Sequence, residues 1–288
     1  MFEYLLENHS LYALFKPHWI ILFIFIIILY SVKVIRSPLY KVSSNQILYF
    51  FIAMATFFFI KASPLDVIGK YYLFSAHTLQ MALAYFLALP LLILSIPTGI
   101  LRQYVWHHQT KFIVTVLSHP WISLVTFNGF LSIYFIPSVF TAVQSSMIAT
   151  VIVQIILFIS AIFMWFVIIY PLPEIKGLSY ILRAFYIFLA SIILMPTGFF
   201  YVVVQVEHFP YYSAVAGDLI RGFTAIYDQQ AAGGILKISQ LASYSYALLI
   251  IAFKWGRLEQ EREGQVDEEN IRYVRGVVIH LDKDDKNK

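Results

Sequence analysis

Residues 151–170 read VIVQIILFISAIFMWFVIIY and contain no charged side chain. A helix needs about 20 predominantly apolar residues to cross the hydrocarbon core of a bilayer. Strands of a membrane β-barrel would instead alternate polar and apolar residues. A second unbroken apolar run, IILFIFIIILY, occupies residues 20–30. Both runs therefore predict membrane-spanning helices.

Apolar residues dominate the whole chain. Of its 288 residues, 60% are hydrophobic and 12% are charged, which leaves a soluble globule too little polar surface to cover itself. Similar runs predict seven spans, roughly 18–35, 46–62, 72–97, 112–136, 146–170, 179–206 and 233–254. An acidic leader with Glu3 and Glu7 precedes the first run, so we expect a permanent helix and not a cleaved signal peptide. The expected fold is all-α, a polytopic seven-transmembrane helix bundle.

Basic residues divide the loops into two sets. Alternate connections carry Lys33, Arg36 and Lys41, then Arg102 and Lys111, then Lys176 and Arg183, whereas the opposite connections carry Lys61, Lys70 and Arg221. Lysine and arginine concentrate in the cytoplasmic loops of membrane proteins. This asymmetry predicts a multi-pass protein of the cell membrane with its N-terminus outside and its C-terminus in the cytoplasm.

The composition changes after Phe253. Nine of the sixteen acidic residues of the chain follow this position, among eight basic residues. Such a density of charge is typical of a solvated segment. We therefore predict a seven-helix transmembrane domain over residues 1–254 and a charged cytoplasmic tail over residues 255–288.

Two proline-containing stretches interrupt predicted spans. They are SHPWIS (residues 118–123) and LMPTGFF (residues 194–200). Proline removes a backbone hydrogen bond and bends a helix, so both stretches predict kinks. The two halves of the chain show no internal repeat, which weighs against an alternating-access transporter.

Span three carries polar residues on one face. The chain has no cysteine, so a soft metal ion would have to be bound by histidine and methionine. His77, Gln80 and Met81 are spaced to share one stripe of the helix, which is suited to Cu(I). Further candidate ligands fall at the same predicted outer depth: Asp66, His208, Asp228, Gln229 and Gln230. Together these eight residues form the predicted copper site.

Each candidate also has a purely structural interpretation. His77 would then hydrogen-bond a neighbouring helix, Met81 would fill the core, and Asp228 would cap the start of span seven. A search for enzymatic motifs finds no HExxH, no GxSxG and no glycine-rich phosphate loop. The sequence therefore predicts a protein that is not an enzyme.

Several sequence blocks resemble one known family. They are KASPLDVIGKYYLFSAHTLQMAL (61–83), LALPLLILSIP (87–97), SHPWISLVTFNGFLSIYFIP (118–137), FMWFVIIYPLPE (163–174) and DQQAAGGILKI (228–238). In order and spacing they are similar to the CtaG-type cytochrome c oxidase assembly factors of Gram-positive bacteria. The resemblance covers about residues 15 to 255. It implies a seven-helical membrane protein that helps to form a caa-type oxidase, with the copper-bearing oxidase subunit as partner.

The resemblance also bears on the site residues. It implicates His77 in SAHxxQ, with Gln80 and Met81, and the DQQ of Asp228, Gln229 and Gln230. Many members of the family carry a second histidine where this chain has Met81. Many members also have a histidine just before the IP dipeptide, where this chain has Phe135. A further histidine, expected early in span five, is absent here, and that region holds Met147 and Gln154. The chain thus departs from the family where a metal site would need imidazoles.

Three hypotheses of function follow from the sequence. In the leading one, an oxidase assembly factor handles copper, as Cu(I), at an outward-facing site. In the second, a membrane scaffold binds oxidase subunits or another membrane partner without metal, through helix contacts and the charged tail. In the third, the kinked helices and a polar mouth carry a small solute or ion.

Overall fold

The computed structural model describes residues 2–172, 174–175, 177–268, 271–274 and 277–280, with side chains described for residues 3–172, 174–175 and 177–261. In chain order the helices are α1 (Phe2–Asn8), α2 (Leu11–Phe15), α3 (Pro17–Tyr30), the π-helical segment π1 (Ser31–Ile35), α4 (Ser44–Lys61), α5 (Pro64–Tyr71), α6 (Phe74–Ala82), the π-helical segment π2 (Leu83–Ala88), α7 (Leu89–Ser95), α8 (Thr98–Tyr104), α9 (Lys111–Leu117), α10 (Pro120–Tyr134), α11 (Pro137–Gln144), α12 (Met147–Ile169), α13 (Tyr180–Ile193), α14 (Met195–Val203), α15 (Pro210–Ser213) and α16 (Ala225–Glu268). Two short strands follow, β1 (Ile271–Val274) and β2 (Val277–His280), which pair antiparallel.

The described residues contain six helices that are long and apolar enough to cross a membrane. They cover Leu11–Ile35, Ser44–Lys61, Phe74–Ser95, Met147–Ile169, Tyr180–Val203 and Ala225–Glu261. A bent pair, Lys111–Leu117 with Pro120–Tyr134, makes a seventh if the two helices form one span. The predicted helical membrane bundle is confirmed with six to seven spans. The orientation of the termini stays a prediction.

Both predicted kinks coincide with breaks. Helices α9 and α10 meet at an angle of 70° around Ser118 and His119. Helix α13 ends at Ile193 and α14 begins at Met195, with Pro196 in its first turn. Proline is tolerated there because the first turn of a helix has no intrahelical partner for its backbone N–H.

Span three contains an irregularity that the sequence did not predict. Segment π2 ends two residues before Pro90, which cannot donate a hydrogen bond to the carbonyl of Phe86. Two side chains from other helices donate hydrogen bonds to backbone carbonyls of this segment. Ser243 Oγ donates to Phe86 O at 2.5 Å, and Trp165 Nε1 donates to Tyr85 O at 2.8 Å. In a bilayer, where no water is available, such donors make a non-α segment tolerable.

The close contact of α14 with α16 depends on two glycines. A Cβ atom on Gly233 would lie 2.6 Å from the carbonyl oxygen of Gly198, and 2.8 Å from the backbone nitrogen of Val202. Small residues permit such backbone approach between membrane helices. These two helices form one side of the site described below.

Helix α16 differs from its prediction at both ends. Span seven was predicted to begin at residue 233, whereas α16 begins at Ala225. The helix is 44 residues long, or about 66 Å at 1.5 Å per residue. That is about twice the thickness of the ~30 Å hydrocarbon core, so the helix continues well into the segment predicted as the charged tail.

Candidate functional site

Asp228 lies at the junction of spans three and seven. It is 3% exposed, and its two carboxylate oxygens accept hydrogen bonds from Phe74 N at 2.6 Å and from Ser75 N at 2.9 Å. These are the first backbone amides of α6, which lack partners within their own helix. A carboxylate there also interacts favourably with the helix dipole. We call Asp228 with these two amides the α6 cap.

The structural interpretation proposed for Asp228 named the wrong helix. Thr224 caps α16, because its Oγ1 accepts from Tyr227 N at 3.3 Å. Asp228, in the first turn of α16, is directed across the bundle to α6 instead. A local cap was expected because sequence spacing reveals only local partners, whereas the cap spans 154 residues.

His77 lies one turn inside α6 and is buried. Its Nε2 is 2.8 Å from the hydroxyl of Tyr134, and Gln144 Nε2 donates to that same hydroxyl at 3.1 Å. The imidazole also meets the ring of Phe140 edge-on at 5.3 Å between centroids. His77 therefore ties span three to the end of α10 and to α11, as its structural interpretation predicted.

Gln80 and Asp66 connect span three to α5 and to the first two spans. Gln80 Nε2 donates to Leu65 O at 2.7 Å. Asp66 forms ion pairs with Lys16 and with Lys61. Because two ammonium groups surround this one carboxylate, the local field disfavours an additional cation.

Gln229 and Gln230 bind the segment that follows α14. Gln229 Oε1 accepts from His208 N at 2.8 Å, and its Nε2 donates to Val206 O at 3.3 Å. Gln230 Nε2 donates to Val204 O at 3.0 Å. The ring of His208 lies 5.3 Å from that of Phe200. The glutamines of DQQ thus satisfy loop backbone that would otherwise be unpaired.

An aromatic cluster fills the space beneath the α6 cap. The ring of Phe74 contacts the rings of Phe135, Phe140, Tyr201, Phe209 and Tyr212, with centroid separations of 4.0–5.9 Å. Phe135, which stands where the family often has histidine, is 2% exposed and belongs to this cluster. An apolar ring has therefore taken a buried position in which an imidazole would need hydrogen-bond partners.

Tyr212, outside the spans, closes the cluster. Its hydroxyl donates to Gly69 O at 2.7 Å. Burial raises the pKa of this phenol well above its ordinary value, so the donor keeps its proton. Tyr134 and Tyr212 were not selected from the sequence, because nothing in their local sequence separates them from the chain's other tyrosines. Their partners lie on other helices.

Residues 28–257 match the family model described as cytochrome c oxidase caa3 assembly factor (Caa3_CtaG). The chain belongs to this family. No curated protein and no solved structure matches it. The match contains the five blocks on which the resemblance was based, and it contains all eight predicted site residues, which lie between residues 66 and 230. The predicted family is thereby confirmed, and it is a family of cytochrome c oxidase assembly factors.

The copper implied for the Caa3_CtaG family can be tested against the donors present. In the part of the chain that the structure describes, no three His, Asp or Glu side chains are grouped so that they could hold a metal ion. Asp228, Gln80, Gln229 and Gln230 direct their polar atoms to backbone groups. Four of the eight predicted residues are thus bound to backbone groups, and the copper site stays a prediction.

One pair in this Caa3_CtaG protein keeps the chemistry of a soft-metal site. His77 and Met81 are four residues apart on α6, and both are buried, at 5% and 8% exposure. Residues at this spacing lie on one face of a helix. Whether they bind Cu(I) stays a prediction.

Proposed function

We propose that this chain acts in cytochrome c oxidase assembly as a scaffold of the plasma membrane, which binds an oxidase subunit without holding a resident metal. The observation that carries this proposal is the use of the polar groups at and near the α6 cap. Asp228, Gln80, Gln229 and Gln230 all bind backbone of other segments. They stabilise the relative positions of the helices and leave few donors for a ligand.

Helix α16 supplies a second argument for a scaffold. Its length of about 66 Å, from 44 residues, carries it beyond a bilayer core of ~30 Å. The sequence after Phe253 is rich in charges of both signs. A rigid charged helix that projects from the membrane is suited to electrostatic recognition of a protein partner.

Deletion of residues 258–288 tests the scaffold. We expect the truncated chain to fold and insert, but to recover much less oxidase subunit than the full chain when each is purified from membranes by an N-terminal tag. The absorbance of mature oxidase in those membranes should fall in parallel. A matched control carries Glu3→Gln and Glu7→Gln at the other terminus and should recover the partner normally. Equal recovery by the truncated and full-length chains would remove the tail from the proposal.

A second candidate function is the handling of Cu(I) as cargo. The pairing of His77 with Met81 on one buried face of α6 favours it, because imidazole and thioether donors suit Cu(I). Met81→Leu keeps the apolar volume and removes the sulfur. His77→Gln keeps a side chain able to hydrogen-bond the Tyr134 hydroxyl.

The two candidates differ in what these substitutions do. If the chain is a scaffold, the double variant should support oxidase maturation and bind no less Cu(I) than the wild type in an anaerobic titration. If Cu(I) is the cargo, the wild type should bind one ion that the double variant does not. Oxidase in the variant strain should then lack copper, and added copper should restore it.

A further inference from the structure

A large cavity lies between helices at the end of the bundle opposite the α6 cap. Its volume is about 560 Å³, within the range of pockets that hold small molecules. The walls come from the start of α4, from π2 and α7, from the last turn of α12, from the start of α13 and from α16. Most of the lining side chains are apolar.

Small residues on α16 create much of this space. Ser239, Ala242, Ser243 and Ala247 recur at helical spacing and line the cavity. Opposite them, π2 and Pro90 displace span three from a regular helix. The Phe86 carbonyl that Pro90 leaves free is already bound by Ser243. Most of the remaining surface, away from Ser239, Arg183 and Lys254, is apolar and does not favour water.

The cavity is elongated and reaches the lipid-facing surface. From Ser239 to Lys254 on α16 it extends about 22 Å at 1.5 Å per residue, which exceeds half of a ~30 Å hydrocarbon core. Three of its large hydrophobic or aromatic lining residues are well exposed: Ile52 at 39%, Leu87 at 40% and Tyr246 at 54%. Lipid chains can thus enter from the side, between α4 and α16.

Two cations lie at one end of this apolar space. Arg183 and Lys254 line the cavity beside residues from the last turns of α7 and α12. Arg183 Nε donates to Leu178 O at 3.1 Å, and its guanidinium lies 4.9 Å from the ring of Tyr180. Within the described residues, neither cation forms an ion pair with a carboxylate. Positive charge at the end of an apolar groove complements an amphiphile with an anionic head.

We propose that this cavity binds an anionic phospholipid, with one acyl chain along α16 and the phosphate between Arg183 and Lys254. The chain fills an apolar volume that would otherwise lack packing partners. The phosphate supplies an anionic partner for both cations, which pair with no carboxylate among the described side chains. This site is separate from the α6 cap, and it does not depend on whether the chain handles copper.

Native mass spectrometry of the purified full-length protein tests the site, with phosphatidylglycerol and phosphatidylcholine of identical chains as the added lipids. The wild type should retain phosphatidylglycerol about tenfold more strongly than phosphatidylcholine. The Arg183→Gln, Lys254→Gln double variant should lose that preference, because each cation near a membrane surface contributes to the binding of anionic lipid. A control with the same charge change, Lys70→Gln with Arg221→Gln, lies outside the cavity and should keep it.

A second pair of variants tests the acyl groove. Ala247→Trp places a large side chain in the cavity and should reduce retention of both lipids, whereas Ala252→Trp lies on α16 outside the lining and should not. Lys254 is exposed, so Lys254→Gln alone should leave the fold intact. It should weaken the binding of phosphatidylglycerol about fivefold. Equal retention of the two lipids by the wild type would overturn the proposal. So would wild-type retention by Lys254→Gln or by Ala247→Trp.

Discussion

The two ends of the bundle use polar residues in opposite ways. At the α6 cap, buried polar side chains are paired with backbone groups from distant segments, and aromatic rings fill the space between them. At the lateral cavity, the helices leave about 560 Å³ between them, and two cations have no carboxylate partner among the described residues. The first arrangement stabilises the fold, and the second leaves room for a ligand. Substitutions should therefore destabilise the protein most at the cap.

Removal of the Asp228 carboxylate should have the largest effect. Asp228→Ala leaves the amides of Phe74 and Ser75 buried without acceptors, and each unsatisfied buried group costs about 1–3 kcal/mol. We expect the free energy of unfolding to fall by about 3 kcal/mol, measured by denaturant titration in detergent micelles. Asp228→Asn keeps one carbonyl oxygen as an acceptor, so its free energy of unfolding should fall less than that of Asp228→Ala.

Asp218 provides the control for this substitution. It is exposed, so Asp218→Ala should leave the stability within about 0.5 kcal/mol of the wild type. If Asp228→Ala were no less stable than Asp218→Ala, the cap would not stabilise the fold, and a ligand-binding role for Asp228 would gain support.

The second largest loss of stability should come from a substitution that prevents the close approach of α14 and α16. A Cβ atom at position 233 would lie 2.6 Å from the carbonyl oxygen of Gly198, and backbone atoms cannot move aside as side chains do. Gly233→Ala should therefore destabilise the protein by about 2 kcal/mol, seen as a lower Tm in micelles. Gly234→Ala is the matched control, because a Cβ atom there meets nothing within 4 Å. Equal Tm values for the two variants would contradict the close contact.

A smaller effect is expected at the cavity end. Trp165→Phe removes the donor to Tyr85 O in π2, and we expect a loss of about 1 kcal/mol in the free energy of unfolding. Trp121, which is 63% exposed, serves as the comparison. Trp121→Phe should change the stability very little. A loss at Trp165 as large as that at Asp228 would show that the two ends are equally constrained.

Much of the fold could be predicted from hydrophobicity. Spans three, five and six were predicted at 72–97, 146–170 and 179–206, and the structure places them at Phe74–Ser95, Met147–Ile169 and Tyr180–Val203. The ends of a long apolar run predict the ends of a spanning helix, because polar residues are unfavourable in the hydrocarbon core. Span seven was predicted eight residues too late, since its first turns contain Asp228, Gln229 and Gln230. Those side chains are accommodated through partners in loops that sequence spacing cannot reveal.

The site was less predictable than the fold. The sequence selected His77 and Asp228 as candidates, and both are buried in the structure. It did not identify their partners, because Tyr134 lies 57 residues from His77, and Phe74 lies 154 residues from Asp228. The cavity could not be predicted either. It arises from the combination of Pro90, the π-helical turn and small residues on α16, which are separated by about 150 positions.

The smallest effect is expected from an exposed ion pair outside the spans. Arg102, on α8, pairs with Glu174, between α12 and α13, and thereby connects α8 to that loop at the cavity end. A backbone hydrogen bond lowers the pKa of Glu174 below its ordinary value of 4.5, and Arg102 lowers it further. Because the folded pKa is depressed, the stabilisation is fully present above the ordinary carboxyl pKa and is lost as the pH falls through the folded value.

Glu174→Gln should therefore lower the Tm only slightly at neutral pH, since exposed pairs contribute little and are screened by salt. The difference from the wild type should be constant from pH 7 down to about pH 5 and should close at lower pH, as the wild-type carboxyl takes up its proton. Thermal melts across that range at low and high salt would measure it. A difference that stayed undiminished as the pH fell from about 5 to about 2 could not come from the charge of Glu174. It would instead indicate that packing around Glu174 stabilises the cavity end. That end would then be more constrained, relative to the α6 cap, than we infer.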